Sequence, residues 1–563
     1  MIGAGRVAGD WVGRLRQRPR MPLWDEFACA LFVVAAALVI LTFTDYGVTW
    51  DEDVHSWYGI FVLRYYLSFF RDLHAFHWGD LYNYGALFDL TAAVLDRISP
   101  FGTYETRHLL NGIVGVVGIV GTWKLGRALM GPRAGFLAAL FLLLTPNYYG
   151  QMFNNPKDVP LAAGMAWAMY YLMRMVPQLP RPQRRLVVKF GIATGLALGV
   201  RVGGLLLFGY LGLTLLLFVL WRLAETRRLV AFLGDCWTSF WRVLLPAVIV
   251  AYPVMLLFWP WAQQAPFSHP LQTLFYFSHE LFPFRTLFAG RYFPATDLPW
   301  AYLPTYIALA LPELILVLVL ASPVVGLALA WRYGRALPRT PALQFFVLGF
   351  AIVFPVAYAV AIKAVLFDGM RHFIFVLPLT AALAATLADR ALARLERAAF
   401  RSYAYGALAL YGLFHVGVMA RLHPDEYVYY NGFIGGVEGA AGLFKLDYWA
   451  NSYAEAVGAL EDHLRAEYGA DFRNHDFTVA VCGPPISASY YFPSNFIYTA
   501  KHEEAQFFIA FTKDDCDKSL PGKVIYRVER MGTLLSEVID RRAVLAQEAR
   551  APLLAGGAGA VRR

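Results

Sequence analysis

Three acidic residues, Asp51, Glu52 and Asp53 in TDYGVTWDEDVHSWYG, directly follow an apolar run from Phe27 to Phe43. Carboxylates this close to a membrane-length segment, with Trp50, Trp57 and Tyr58 around them, suit a site that works on a lipid-borne substrate. An acidic loop behind a first span would use the same residues without any chemistry. A second group, Asn154-Asn155-Pro156-Lys157-Asp158-Val159-Pro160, enters a later apolar stretch. Its prolines favour a turn opening into a helix, with Asp158 in the first turn where the helix dipole favours an anion. Capping alone explains that much, but Lys157 adds a cation beside the carboxylate. Paired carboxylates at a membrane surface can share a divalent metal or divide base and positioning roles, and Lys or Arg can hold a phosphate. The third group is Lys363 followed by Phe367-Asp368-Gly369-Met370-Arg371-His372-Phe373. Arg371 at a helix amino terminus opposes the dipole, which either a bound anion or a side chain reaching for the interface explains. His372 beside it is of a type that more often makes structural hydrogen bonds than serves as ligand or base.

Membrane helices must position these groups. The chain of 563 residues is 58% hydrophobic and 16% charged, too little polar surface for a soluble globule. Spanning takes about 20 apolar residues, and eleven stretches are expected to span, near residues 27–44, 108–127, 134–150, 158–175, 186–201, 203–221, 241–260, 302–331, 343–365, 372–389 and 402–420. Basic residues gather on one side: Arg6, Arg14, Arg16, Arg18 and Arg20, then Lys124, Arg127 and Arg133, and so on to Arg394 and Arg401. That side reads as cytoplasmic, which puts the three groups, the loop from Gln263 to Trp300 and the carboxy-terminal segment outside. The net charge of +9 is then mostly topology signal and gives no reason to expect nucleic acid. The first apolar run reads as a retained anchor behind a cytoplasmic segment, residues 1–26. Beyond residue 420 no further spanning run occurs. Residues 421–543 show a helical pattern in YWANSYAEAVGALEDHLRAEYG and strand-like runs in DFTVAVCG, QFFIAFT and KVIYRV, a small extracytoplasmic α/β domain. Cys482 and Cys516 both fall in it, as a disulfide or as two thiols. Residues 544–563 read as a carboxy-terminal tail, disordered at its end.

The motifs resemble the glycosyltransferase C superfamily, in the branch of protein O-mannosyltransferases and lipid A aminoarabinose transferases. The resemblance rests on Trp50-Asp51-Glu52, Asn155-Pro156-Lys157-Asp158-Val159-Pro160, Leu298-Pro299-Trp300-Ala301-Tyr302-Leu303 and Arg371-His372-Phe373-Ile374-Phe375-Val376-Leu377-Pro378 in this order, and covers residues 27–420. The stretch Arg421 to Asn431, followed by Leu446-Asp447-Tyr448-Trp449, is similar to a bacterial mannosyltransferase-like subgroup. The resemblance implies a polytopic α-helical fold of this superfamily's type in a bacterial inner membrane. It also implies inverting transfer of a sugar from a polyprenyl-phosphate donor to a hydroxyl acceptor on protein, lipid or glycan. By carry-over Asp51 is the general base, Glu52 orients it or the acceptor, and Asp158 is the second acidic position; Lys157, Arg371 and His372 are the candidates for the donor phosphate. Some members bind a divalent metal, for which Asp51 and Asp158 are the candidate ligands. A transporter or lipid flippase of the envelope is the alternative, but it calls for charges within the spans, whereas these gather at one face. A non-catalytic scaffold would tolerate loss of Asp51.

Overall fold

The structure, a computed structural model, describes residues 21–279, 284–397 and 400–557; the basic cluster from Arg6 to Arg20 lies outside the described residues. The chain is a multi-pass helical membrane protein. Among the described residues eight helices are long and apolar enough to cross a membrane: Leu23–Thr42, Thr103–Met130, Val202–Thr226, Leu229–Leu257, Glu313–Tyr333, Arg339–Ala361, Arg371–Leu395 and Arg401–Leu422. Large side chains on several of them face outward. Leu320 and Leu327 are 66% and 72% exposed, which in water would be costly and in lipid is not.

Three of the eleven expected spans are not among these eight helices, and a fourth is divided. Residues 134–150 are split into the helices Pro132–Leu143 and Pro146–Asn154, because Pro146 has no N–H to continue a helix and instead starts the next one. Residues 158–175 form the Asp158–Met175 helix, buried inside the bundle from Val159 to Met175 along most of its length. Residues 186–201 become the Arg184–Leu198 helix of 15 residues, with Arg184, Arg185 and Lys189 in its first turns. A fourth expected span, 302–331, breaks at Leu311, held extended by Pro312, into Tyr302–Ala310 and Glu313–Tyr333.

Two ends of the bundle are distinguished by their ion pairs. At one end Arg127 donates to Asp25 at 2.8 Å and Arg133 to Asp389 at 2.6 Å. At the other, the Glu52–Leu67 helix lies across the Leu87–Leu95 helix, so close that a Cβ on Gly59 would sit 2.3 Å from the Asp89 carbonyl oxygen. The loop from Gln263 to Trp300 carries the helix His269–His279 and a hairpin of β1 (Arg285–Phe288) and β2 (Arg291–Pro294).

By packing, the division between bundle and carboxy-terminal domain falls near residue 450. Tyr427, Tyr430, Tyr448 and Trp449 share the core of the helices, whereas a separate core begins at Ala450. That second core lies between the Tyr453–Tyr468 helix and a sheet of β3 (Phe477–Val481), β4 (Phe496–Tyr498), β5 (Phe507–Phe511), β6 (Lys523–Arg530) and β7 (Thr533–Asp540), in the order β4-β3-β5-β7-β6. Strand β3 runs parallel to both neighbours, while β7 is antiparallel to β5 and β6. The central β5, buried at every position, reads as an unbroken apolar run. Met531 and Gly532, both at positive φ, make the two-residue turn between β6 and β7 that matches the twist of the strands. Cys482 and Cys516 are joined in a disulfide. A last helix, Arg542–Gly557, occupies much of the stretch expected as a tail; residues 558–563 lie outside the described residues.

Candidate active site

Asp51 sits where the extended loop after the first span turns into the Glu52–Leu67 helix. Its Oδ2 meets two cations brought from distant parts of the chain: Lys157 Nζ at 3.3 Å and Arg371 Nη1, which donates at 3.0 Å. The carboxylate is 18% exposed. Burial alone would raise its pKa, but Lys157 and Arg371 together hold it well below the usual carboxylate range. Local chemistry delivers each cation. Pro156 and Asn155 end one helix, and Asn155 Oδ1 accepts from the Asp158 N–H at 2.9 Å to start the next, which leaves Lys157 at the tip of the turn. Asp368 and Gly369 both take positive φ, folding the chain back so that Arg371 points inward between the rings of Phe367 and Trp449. The anion that offsets the dipole conflict at Arg371 is therefore supplied by Asp51, with Asp368 at 3.9 Å.

Asp158 is more than a cap. Its Oδ1 accepts from Arg201 and its Oδ2 from Asn155 at 3.0 Å. Arg201 and Lys157 both lie over the Tyr84 ring, at 5.4 and 5.1 Å from its centre. Burial works against the charge on Arg201, but Asp158 outweighs it and raises the pKa. Glu52, by contrast, turns away from Asp51. It is buried, accepts from the Thr49 N–H at 2.8 Å, and meets His108 Nε2 at 3.0 Å. Asp53 accepts from the Tyr104 hydroxyl at 2.9 Å, also away from Asp51.

One cavity of about 760 Å³ joins these groups: Asp51, Lys157, Asp158, Arg201, Arg371 and His372 all line it, and Glu52 does not. His372 packs edge-on against Phe367, and its Nδ1 has no partner among the described residues. The far wall comes from beyond the helices. Lys445 donates to Asp368 at 3.3 Å, and Lys513 of the carboxy-terminal domain lies over the Trp50 ring at 4.6 Å while donating to the Tyr448 carbonyl at 3.3 Å. Asp368 is held below its ordinary pKa against burial by Lys513, Lys445 and Arg371. A histidine that the sequence motifs do not single out, His55, lines the cavity one helical turn after Asp51, with its Nδ1 2.8 Å from Asp89 Oδ2; Arg107 donates to Asp89 Oδ1 at 2.6 Å. Lys363 stands apart, an exposed residue paired with Asp297.

A divalent metal shared by Asp51 and Asp158 does not fit this donor set. Each carboxylate already faces a lysine or arginine, and among the described residues no group of three or more His, Cys, Asp or Glu side chains converges. What the arrangement offers is a carboxylate proton acceptor, several cations for a phosphate, and aromatic faces, Tyr448 and Trp449, for a sugar or an isoprenoid.

Residues 103–256 match the family model described as dolichyl-phosphate-mannose-protein mannosyltransferase, which bears out over that range the resemblance carried by the motifs. No curated protein matches the chain. Among solved structures the chain is similar to ArnT from Cupriavidus metallidurans bound to undecaprenyl phosphate, at 16% identity over 92% of this chain and 98% of that one, with a TM-score of 0.46. It is also similar to the archaeal oligosaccharyltransferase AglB from Archaeoglobus fulgidus in complex with an inhibitory peptide and a dolichol-phosphate, at 13% identity over 82% of this chain and 63% of that one, with a TM-score of 0.45.

Proposed function

We propose that the protein is an inverting glycosyltransferase that moves a sugar from a polyprenyl-phosphate donor to an acceptor hydroxyl, on the extracytoplasmic side of a bacterial inner membrane. The observation that carries this reading is the meeting of Lys157 and Arg371 on one oxygen of Asp51 at a cavity lined by aromatic rings. Two cations from separate segments are one more than a lone carboxylate needs, and together they match the charge of a phosphate. In the reaction Asp51 takes the proton of the acceptor hydroxyl as the hydroxyl oxygen attacks the anomeric carbon. Lys157 and Arg371 move to the leaving phosphate and stabilise the charge that gathers on it. His372 offers a further contact to a phosphate oxygen. Asp158 positions the site by fixing Arg201 and the turn that presents Lys157, and Glu52 holds the loop beneath Asp51.

The test is transfer by the full-length protein in proteoliposomes, with a panel of radiolabelled polyprenyl-phosphate sugars that begins with mannose and with extracted envelope fractions as acceptor. Label is expected to leave the lipid for one donor in the panel, and Asp51→Asn is expected to stop it. If no donor loses its label, or if Asp51→Asn transfers at the wild-type rate, the reading is wrong.

A further inference from the structure

His55 is buried, faces the cavity, and has no part in the mechanism above. Its surroundings have the form of a prepared base. Asp89 accepts from Arg107 on one oxygen and meets His55 Nδ1 on the other. An ionised carboxylate can only accept, so Nδ1 carries the proton and Nε2 carries the lone pair. That Nε2 has no hydrogen-bond partner among the described residues, an arrangement that is costly for a buried polar atom unless something else meets it. His55 and Asp51 stand four residues apart in one turn, with the His55 N–H donating to the Asp51 carbonyl at 3.2 Å, so their side chains share a face of the helix.

Asp51 is a poor place for a proton to stay: without donor two cations hold it as the carboxylate, and once they turn to the phosphate a carboxylic acid is still a stronger acid than an imidazolium. We propose, on the basis of the transferase reading, that His55 is the final proton acceptor of the reaction, taking through Asp51 the proton of the acceptor hydroxyl. The bond between the hydroxyl oxygen and the anomeric carbon forms as the bond from that carbon to the phosphate oxygen breaks, and the electron pair leaves on the phosphate. The proton passes to the Asp51 carboxylate and on, through water in the cavity that both side chains line, to His55 Nε2, where the imidazolium is paired with Asp89; it then leaves to bulk water with the products. Asp89 and Arg107 are positioning residues that fix the tautomer. Burial lowers the His55 pKa below its ordinary value against the pull of Asp89, Lys157 adds to the lowering, and Asp51 opposes it. The ring is thus neutral and ready to accept at pH 7.

The experiment uses the full-length protein in proteoliposomes with the labelled donor that the wild type accepts, and compares wild type, His55→Gln, His55→Ala and Asp89→Asn. His55→Gln is expected to lower kcat by about 100-fold or more with donor KM nearly unchanged, and to remove the acid limb that His55 gives the wild-type kcat profile below pH 6.5. Added imidazole is expected to restore His55→Ala, and Asp89→Asn to lose kcat through the wrong tautomer. Should His55→Ala not fold, the pH profile of His55→Gln decides alone. A His55→Gln kcat within about threefold of wild type, or an unchanged acid limb, would overturn the proposal. A wild type inactive with every donor would instead overturn the transferase reading on which it rests.

Discussion

At the scale of single residues, the site is a balance of charges that substitution can tip in predictable directions. Asp51→Asn keeps the shape but cannot take a proton, so kcat is expected to fall about 10²- to 10⁴-fold, as read by label transfer. The same change leaves Lys157 and Arg371 facing a neutral amide. Inorganic phosphate is therefore expected to raise the thermal midpoint of Asp51→Asn more than that of wild type, and equal shifts would mean that the two cations do not form one anion site. Lys157→Ala or Arg371→Ala is expected to weaken donor binding about tenfold or more, since each charge-assisted contact contributes roughly 1.5 to 3 kcal/mol, with a smaller effect on turnover than Asp51→Asn. Several of these residues were legible in the sequence because rare residue types stood at the ends of apolar stretches. Arg201 was legible by the same logic and passed over: an arginine where 186–201 reaches the site end of the bundle runs against the charge bias of the loops and asks for a partner, which is Asp158. Glu52 carried the opposite lesson. Its adjacency to Asp51 suggested a shared role, but successive residues on a helix point apart, and the Glu52 carboxylate reaches back to the Thr49 N–H.

At the scale of elements, close packing and short connections set where the groups end up. The Glu52–Leu67 and Leu87–Leu95 helices touch at Gly59, and a Cβ there meets the backbone of Asp89, which cannot yield as a side-chain tip would. Gly59→Ala is expected to cost about 1 to 3 kcal/mol in a folding equilibrium and to displace Asp89, seen as a lower thermal midpoint with lower kcat. The segment from residue 421 to 452 ties the first loop to the carboxy-terminal domain: His423 meets Asp45 at 3.0 Å and Glu426 at 2.9 Å, and Tyr46 donates to Glu426 at 3.0 Å. Burial disfavours the charged imidazole, but Glu426 and Asp45 push its pKa up to about 9. A raised folded-state value means that this stabilisation is complete below the unfolded pKa of about 6.5 and is lost as pH rises through about 9. The wild-type thermal midpoint is expected to fall between pH 7 and pH 10 by more than that of His423→Gln; parallel curves would remove His423 from that role. Helix existence was readable from hydropathy, whereas helix division was not. Runs such as 134–150 and 302–331 are apolar enough to read as single spans, although the chain turns at Pro146 and Pro312. The strand β7 escaped notice because Ser536 and Glu537 interrupt its apolar pattern, although both are buried against neighbouring elements.

At the scale of the whole molecule, the cavity belongs to neither the helices nor the carboxy-terminal domain alone. Trp50 donates its N–H to the Trp449 carbonyl at 3.2 Å and lies under Lys513, so the first loop, the connecting segment and the carboxy-terminal domain close one wall together. No local pattern announces such a wall, because Trp449 and Lys513 both lie hundreds of positions from Trp50. The sidedness inferred from the basic loops would make this wall extracytoplasmic. Reporter fusions at Gly334 and Gly469 are expected in opposite compartments, the first cytoplasmic, and a shared compartment would refute the arrangement.

The hold of Lys157 and Arg371 on Asp51 also bears on how a catalytic cycle would end. Under the proposed reaction the donor enters as a phosphodiester with a single negative charge, and the spent carrier remains as a monophosphate approaching a double charge near neutral pH. The same two cations then grip the product more firmly than the substrate. Asp51, once its proton has gone, becomes the internal rival that prises the carrier loose. The spent lipid would therefore act as a product inhibitor, and added carrier monophosphate would compete with the donor at concentrations below those at which the donor itself saturates.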